Sequence, residues 1–456
     1  MKRKTKLPLI FLILPLLVSL ACSFSFGGSD SDSADTSPVA TSDTAGTIRT
    51  IPTTEGDVTS TSMPAFSSSS DDGDEMLTMK EPIYIQDGRN LITVFLFENV
   101  DTAGIEDIEY TITVTDASGV TIKTDNGFID FLAAGEQTGV ASWLFLEEGQ
   151  DASAVDIDWT YYTDASGSSN HPFTFENPRY YFDPYWDRFT AVMVNNDANA
   201  QTNIRVDMIA YDSSGLVVGG GFTNVNFIPG NDQVGISING FVSNDPVRYE
   251  FFPRKTFLSS AINNSQLTEN LSVLQSGFFY NETTLVGGFL IKNNANEVMK
   301  NAEYNITIYE QDGSVSQVAS GYLNLLWPGQ TIGVSPGVIE LSEGTSPSEF
   351  NVYVKAGTLE AHELNNNPLT VANVNYIADN NFPKVNLTIN NAHNQIIDNP
   401  YLTILLYNAA DEIIGGVYTY PDPIPANGSL SYEVFVTNVT SESPARIEAY
   451  TTLTNW

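Results

Sequence analysis

The feature that most constrains this 456-residue chain is a strand end that runs into a tight turn and recurs at a nearly fixed interval. It reads Tyr309-Glu310-Gln311-Asp312-Gly313. Its counterparts are Thr115-Asp116-Ala117-Ser118-Gly119, Tyr211-Asp212-Ser213-Ser214-Gly215 and Tyr407-Asn408-Ala409-Ala410-Asp411. The first residues of successive copies stand 96, 98 and 98 positions apart. A recurrence must be read before any local structure, and an interval this long matches one small β-sandwich, not a solenoid repeat.

Two further features run in step with the marker. Asn99, Asn196, Asn294 and Asn391 lie 16, 15, 15 and 16 residues before it, and Gly135, Gly230, Gly329 and Asn427 lie 20, 19, 20 and 20 after it. Between these points the chain alternates apolar and polar residues, as in Ile92, Val94 and Leu96 or Ile108, Tyr110, Ile112 and Val114. Clusters of Gly, Asn, Asp and Pro separate the runs, the pattern of short strands joined by tight turns. The fold class expected is all-β: four tandem immunoglobulin-like β-sandwiches spanning 79–163, 179–258, 276–357 and 370–456. Polar linkers are expected between them, the first over Asp164 to Asn177 and the third over Leu359 to Pro368. In the second, Ser259 to Ser276, the helical spacing of Leu267, Leu271 and Leu274 competes with loop-favouring Asn263-Asn264, and helix and loop both stay open. Gly219-Gly220-Gly221 falls within a strand region and reads as a bulge or edge feature.

The runs Met208-Ile209-Ala210-Tyr211-Asp212, Ile306-Thr307-Ile308-Tyr309-Glu310 and Ile404-Leu405-Leu406-Tyr407-Asn408, with an Asn-rich turn before and a turn such as Pro328-Gly329-Gln330 after, resemble FxLYD domains. Those are small bacterial extracellular β-sandwiches. None of the copies has the leading Phe, and unit 1 has Thr115 in place of the Tyr. The resemblance implies a fold and a surface location, and carries no active site.

The N-terminus reads as an export signal over 1–21: Lys2, Arg3, Lys4 and Lys6, then an apolar run from Leu7 to Leu20 too short to span a bilayer comfortably. It ends at Ser19-Leu20-Ala21-Cys22, and Cys22 is the sole cysteine. That ending resembles the lipobox of bacterial lipoproteins, which implies a diacylglycerol or acyl lipid on Cys22. Ordinary cleavage after Ala21 is the alternative. Residues 22–78, rich in Ser, Asp and Thr, lack the apolar content to offset chain ordering and read as a disordered tether. With one cysteine the sandwiches must stand on their own cores, without disulfides.

The formal charge of −36 repels nucleic acid and anionic headgroups, so neither is expected as a partner. The membrane, through the lipid anchor, and a surface protein or glycan are the partners expected. The location expected is the cell membrane or outer membrane, facing away from the cytoplasm. The three histidines, His171, His362 and His393, show no zinc or triad spacing and read as solvated loop residues. No catalytic residue, metal or cofactor is assigned. The acidic turns at Asp116, Asp212 and Glu310 leave calcium open, although turn chemistry alone accounts for them. The candidate ligand-binding residues are the aromatics Tyr185, Trp186 and Tyr280, since aromatic faces stack on sugars; packing between units is the competing role. The function expected is a non-enzymatic spacer, adhesion or protein-binding module, with a carbohydrate-binding accessory as the alternative.

Overall fold

A computed structural model describes residues 59–62, 76–165, 171–182, 186–364, 366–379, 382–436 and 443–454. The chain divides into two compact units, Met1–Gly56 and Asp57–Trp456, and every described residue belongs to the second.

Within it the elements are almost all strands. Unit 1 comprises β2 (Leu77–Asp87), β3 (Asn90–Asn99), β4 (Gly104–Thr115), β5 (Thr121–Leu132), β6 (Gln137–Phe145) and β7 (Ala154–Ala165), preceded by β1 (Thr59–Ser62). Unit 2 has β8 (Phe173–Tyr181), β9 (Asp187–Asn195), β10 (Ala200–Tyr211), β11 (Val217–Ile228), β12 (Asp232–Val242) and β13 (Arg248–Ile262). After α1 (Asn264–Leu267), unit 3 has β14 (Leu271–Asn281), β15 (Thr284–Asn293), β16 (Val298–Glu310), β17 (Val315–Leu326), β18 (Thr331–Val334), β19 (Val338–Glu340), β20 (Pro347–Lys355) and β21 (Thr358–Glu360). Unit 4 has β22 (Leu369–Ile377), β23 (Lys384–Asn391), β24 (Pro400–Tyr407), β25 (Ile413–Thr419), β26 (Ser429–Phe435) and β27 (Arg446–Leu453).

Each unit is a sandwich of two antiparallel sheets with one topology. The first sheet joins the unit's first, second and fifth strands, as in β22-β23-β26; the second joins its fourth, third and last, as in β25-β24-β27. These are tandem immunoglobulin-like sandwiches. In unit 2 the two sheets are continuous, because Gly219, Gly220 and Gly221 on β11 pair with Val242, Phe241 and Gly240 on β12. A Cβ at Gly219 would lie 2.0 Å from the Phe241 carbonyl oxygen, so only glycine permits that crossing of backbones.

The structure moves several boundaries. β1 pairs with β2 inside the segment expected to be a tether. β7 and β8 occupy much of the first expected linker, and β21 lies in the third, paired with β16. In the second, the helix is a single turn, capped by Asn263 and Gln266. Leu271 and Leu274 belong instead to β14: Leu271 pairs with Asn293 of β15, Leu274 is the unpaired residue of a bulge between Val273 and Gln275, and only Leu267 is held inside α1.

Two of the repeated positions also shift by one residue. The asparagine that recurs structurally is Asn99, Asn195, Asn293 and Asn391, each 16 residues before the marker and each at most 2% exposed. Its amide nitrogen donates to two or three carbonyls, Asn199 and Pro229 in unit 2 and Glu297 and Leu326 in unit 3. Its amide oxygen accepts from the backbone N–H two residues on, at 3.0 Å from Asp197 and 2.9 Å from Ala295. Asn196 and Asn294 are exposed neighbours with separate bonds. The later position is Gly135, Asn231, Gly329 and Asn427, always 20 residues after the marker and always at positive φ. Gly230 does not carry that turn, because the left-handed residue there is Asn231 (φ 53°), a conformation asparagine tolerates.

The four sandwiches do not follow one another end to end like beads. The first sheet of each unit lies face-on against the second sheet of the next. Val94, Leu96 and Ala141 of unit 1 meet Ile209 and Tyr211 of unit 2. Val192 of unit 2 meets Tyr309 and Val315 of unit 3, and Leu290 of unit 3 meets Leu405, Tyr407 and Ile413 of unit 4. The result is a succession of eight sheet layers, two of them formed by the single six-stranded sheet of unit 2, with three inter-unit joints.

Both ends of that succession are polar. On β4 the side facing away from the core carries Thr111, Thr113 and Thr115, beside Asp156 and Asp158 of β7. On β23 it carries Lys384, Asn386, Thr388 and Asn390, with only the intervening residues buried.

Candidate functional site

The marker tyrosine is a joint residue. Strand β10 sends Ile204, Val206, Met208 and Ala210 into its own core. The alternate residues Arg205, Asp207, Ile209 and Tyr211 therefore face unit 1, as strand periodicity requires. Tyr211, Tyr309 and Tyr407 are at most 4% exposed, each against the preceding unit. Unit 1 has no preceding sandwich among the described residues, and there the residue is Thr115. The opposite wall carries a matching signature: Gly139, Gly235 and Gly333 each lie 24 residues after their marker, and unit 4 has exposed Ser431 instead.

The turn after the tyrosine serves two ends. In units 1 and 2 the carboxylates of Asp116 and Asp212 close the turn, accepting from the Ser118 and Ser214 hydroxyls and from the Val120 and Leu216 amides. The serine hydroxyls first, and the backbone donors with them, hold both carboxyls below the usual range. In unit 3 the serine-bonded residue is Asp312, while the turn docks on unit 2. Arg179 pairs with Asp312, the Tyr181 hydroxyl donates to Glu310 at 2.9 Å, and Thr190 Oγ1 donates to the Val315 carbonyl at 2.6 Å. Among the described residues no group of three or more His, Cys, Asp or Glu is placed to hold a metal.

The candidate aromatics do not come together. Cys22 and Tyr185 lie outside the described residues. Trp186 is half-buried in the first joint, with its ring centre 4.8 Å from Trp143 and 5.2 Å from Phe241. Tyr280 is 39% exposed on β14 of unit 3, beside Phe278, which in turn stacks on Phe350. The two are in different units and form no common platform. The histidines are not solvated as expected. Each is half-buried: His362 stands edge-on to Trp327 at 4.8 Å, and burial pushes the His171 pKa down.

Sequence reasoning missed an ion-pair network in the first joint. Asp207, 0% exposed, accepts from Arg254 Nε at 2.8 Å and Arg205 Nη2 at 3.0 Å, and also from the Ala141 amide of unit 1 at 3.1 Å. Arg254 Nη1 and Arg205 Nη2 each reach a unit 1 carbonyl, of Phe128 and Ala141 respectively, both at 2.6 Å. Burial alone would lower the Arg254 pKa, but Asp207 and the Tyr110 hydroxyl outweigh it and the net direction is up. The Arg205 guanidinium lies 3.7 Å from the centre of the Phe222 ring. The only signal in the sequence was the pair of charges in Arg205-Val206-Asp207, which alternation alone assigns to a solvated face.

A groove of about 230 Å³ opens beside this network. Arg205, Arg254 and Lys255 line it with Phe222, Phe257 and Asp125. β13 widens here: Lys255 pairs with Ile204 and Ser260 with Thr202, so Thr256 to Ser259 project from the sheet. The Thr256 and Ser259 hydroxyls both bond the Asn203 carbonyl, holding the protrusion, and Phe257 at its tip is 89% exposed.

No family model matches the chain, and no curated protein matches it. Among solved structures it is similar to Escherichia coli alpha-2-macroglobulin activated by porcine elastase, with 10% identity and a TM-score of 0.14, over 83% of this chain and 42% of that one. It is similar also to Salmonella alpha-2-macroglobulin reacted with methylamine, with 9% identity and a TM-score of 0.12, over 83% and 30% of the two chains. The chain thus spans less than half the length of these structures.

Proposed function

We propose that the chain is a membrane-anchored, extracytoplasmic lipoprotein whose stacked sandwiches act as a non-enzymatic spacer, adhesion or protein-binding module. The observation that carries this reading is the threefold repetition of one joint, with a buried marker tyrosine on one wall and a glycine on the other, between polar outer sheets. Stacked sheets lie about 10 Å apart, so eight layers with seven spacings set their outer sheets roughly 70 Å apart. A chain built to keep its two outer faces at a fixed separation suits a spacer better than a catalyst. The marker tyrosines at 211, 309 and 407 support the finer assignment to FxLYD-like surface modules, and Cys22 supplies the anchor.

Two measurements test it. Labelled palmitate should enter the wild-type protein, and Cys22→Ala should move the protein from the membrane to the soluble fraction. A Cys22→Ala protein that stays membrane-bound overturns the anchor. Turnover of any substrate on a broad hydrolase panel overturns the non-enzymatic reading.

A further inference from the structure

We infer that the groove between units 1 and 2 binds a saccharide carrying a carboxylate, such as a uronate residue of an acidic polysaccharide. Three kinds of group meet there, and together they narrow the ligand. Exposed Phe257 offers an aromatic face to the apolar side of a sugar ring, and Phe222, whose ring carries the Arg205 guanidinium, borders it. Arg205, Arg254 and Lys255 stand against two carboxylates, Asp125 in the lining and Asp207 paired with both arginines behind it, so one positive charge, that of Lys255, is left over at the groove, in a chain whose net charge is −36. Lys255 is exposed and forms no ion pair among the described residues. Asp125 accepts from the Ser142 hydroxyl at 2.6 Å, and a carboxylate has further lone pairs to accept from ligand hydroxyls. A simple anion has no use for that acceptor, and a neutral glycan has none for the cations. A polyol with an acid group uses both.

Size and position agree. About 230 Å³ is below the ~300–1,000 Å³ of pockets for drug-sized ligands. It admits one ring, with the rest of a chain running out over Phe257. The site also lies at a joint between units, where pockets concentrate. The protrusion carrying Phe257 is particular to unit 2. In unit 3 the corresponding break between β20 and β21 holds only Ala356 and Gly357, and β27 of unit 4 pairs with β24 without a break. An 89% exposed phenylalanine on a hydrogen-bonded protrusion adds nothing to the core, so its placement is explained by a ligand. The overall negative charge opposes any anion at long range. At physiological salt that field is screened beyond ~8 Å, whereas the groove cations act at contact.

The inference gives the adhesion reading a ligand class but does not depend on the anchor, since binding is measured on detergent-solubilised full-length protein. The probes are oligogalacturonate and oligoalginate, with cello-oligosaccharide as the neutral control and a poly-glutamate peptide as the non-saccharide anion, all titrated by calorimetry. The acidic oligosaccharides should bind at least tenfold more tightly than both controls. Phe257→Ala and Lys255→Ala, both at exposed positions, should each weaken binding fivefold or more with unchanged thermal unfolding. No binding of acidic oligosaccharide at millimolar concentration overturns the inference. So does equal binding of the neutral control or of poly-glutamate, and so does binding that survives both substitutions together. Membrane fractionation of Cys22→Ala reads out separately, so failure of the anchor and failure of this site are distinguishable.

Discussion

Gly139 on β6 and Ile209 on β10 meet across the first joint so closely that a Cβ at 139 would stand 2.5 Å from Ile209 Cδ1. The same pairing recurs between Gly235 and Thr307, where a Cβ would be 2.4 Å from Thr307 Cγ2, and between Gly333 and Leu405, at 2.7 Å from Leu405 Cδ1. Sheets come this near only if one of them lacks side chains at the point of crossing. Gly235→Val should therefore destabilise by about 1–3 kcal/mol, the usual effect of overfilling a packed site. Hydrogen exchange should show faster opening of β12 and β16 amides. Ser431→Val, at the matching but exposed position, should stay within about 0.5 kcal/mol. Equal effects at 235 and 431 would remove the joint as the reason for the glycine.

The buried asparagines give a sharper contrast between neighbours. Asn195→Ala strands the carbonyls of Asn199 and Pro229 and the amide of Asp197, and should cost about 2–4 kcal/mol. Asn196→Ala loses an exposed bond to the Pro172 carbonyl and should cost about 1 kcal/mol or less. Chemical denaturation of the two variants, one residue apart, decides which asparagine defines the repeat.

Removing Asp207 leaves two arginines with no counter-charge in the first joint. Asp207→Ala should destabilise by about 3–5 kcal/mol. Replacing Asp207, Arg205 and Arg254 together by apolar residues should recover most of that loss. If the triple variant is no more stable than Asp207→Ala, the penalty does not come from unpaired charge.

Acid should act on His171 before it acts on the turn carboxylates. Burial first, and Lys255 with it, lowers the folded pKa, while Glu136 and Asp130 pull the other way without reversing it. Below pH ~6.5 the unfolded chain takes up a proton that the folded chain refuses. Stability should thus be full above that value and decline as pH falls toward the folded pKa. Asp116, Asp212 and Asp312 have lowered values, so their contribution is present above the unfolded value and is lost only at lower pH. His171→Gln should flatten the fall of stability that begins below pH ~6.5; an unchanged slope there would refute the assignment.

The period and the sandwich fold were legible because turn chemistry is local, whereas the first strand of each unit, such as β8 in the expected linker, was not. Finer registration failed where two residues of one type sit side by side. Asn195-Asn196 cannot be resolved by composition, since only the first is buried among unpaired carbonyls. Gly230-Asn231 misled because glycine is the usual left-handed residue, yet here the positive φ belongs to asparagine. The joints left a signal that the alternating reading of Ile92, Val94 and Leu96 passes over. Leu91 to Phe97 is apolar but for Thr93, the mark of a strand covered on both faces, and all seven residues are buried. Lys384-Val385-Asn386-Leu387-Thr388-Ile389 alternates cleanly and is covered on one. The ion pairs around Asp207 were not legible, because alternation cannot tell a solvated outer face from one pressed against another domain.

Thr115 and Ser431 give the succession a direction. An inner unit carries tyrosine on one side and glycine on the other, so a duplicated copy of it could be inserted between its neighbours and extend the array by roughly 20 Å, two sheet spacings. A copy of either outer unit offers a mismatched surface and cannot be spliced into the interior without new substitutions. Length can therefore evolve by internal duplication while the identity of both outward faces is preserved.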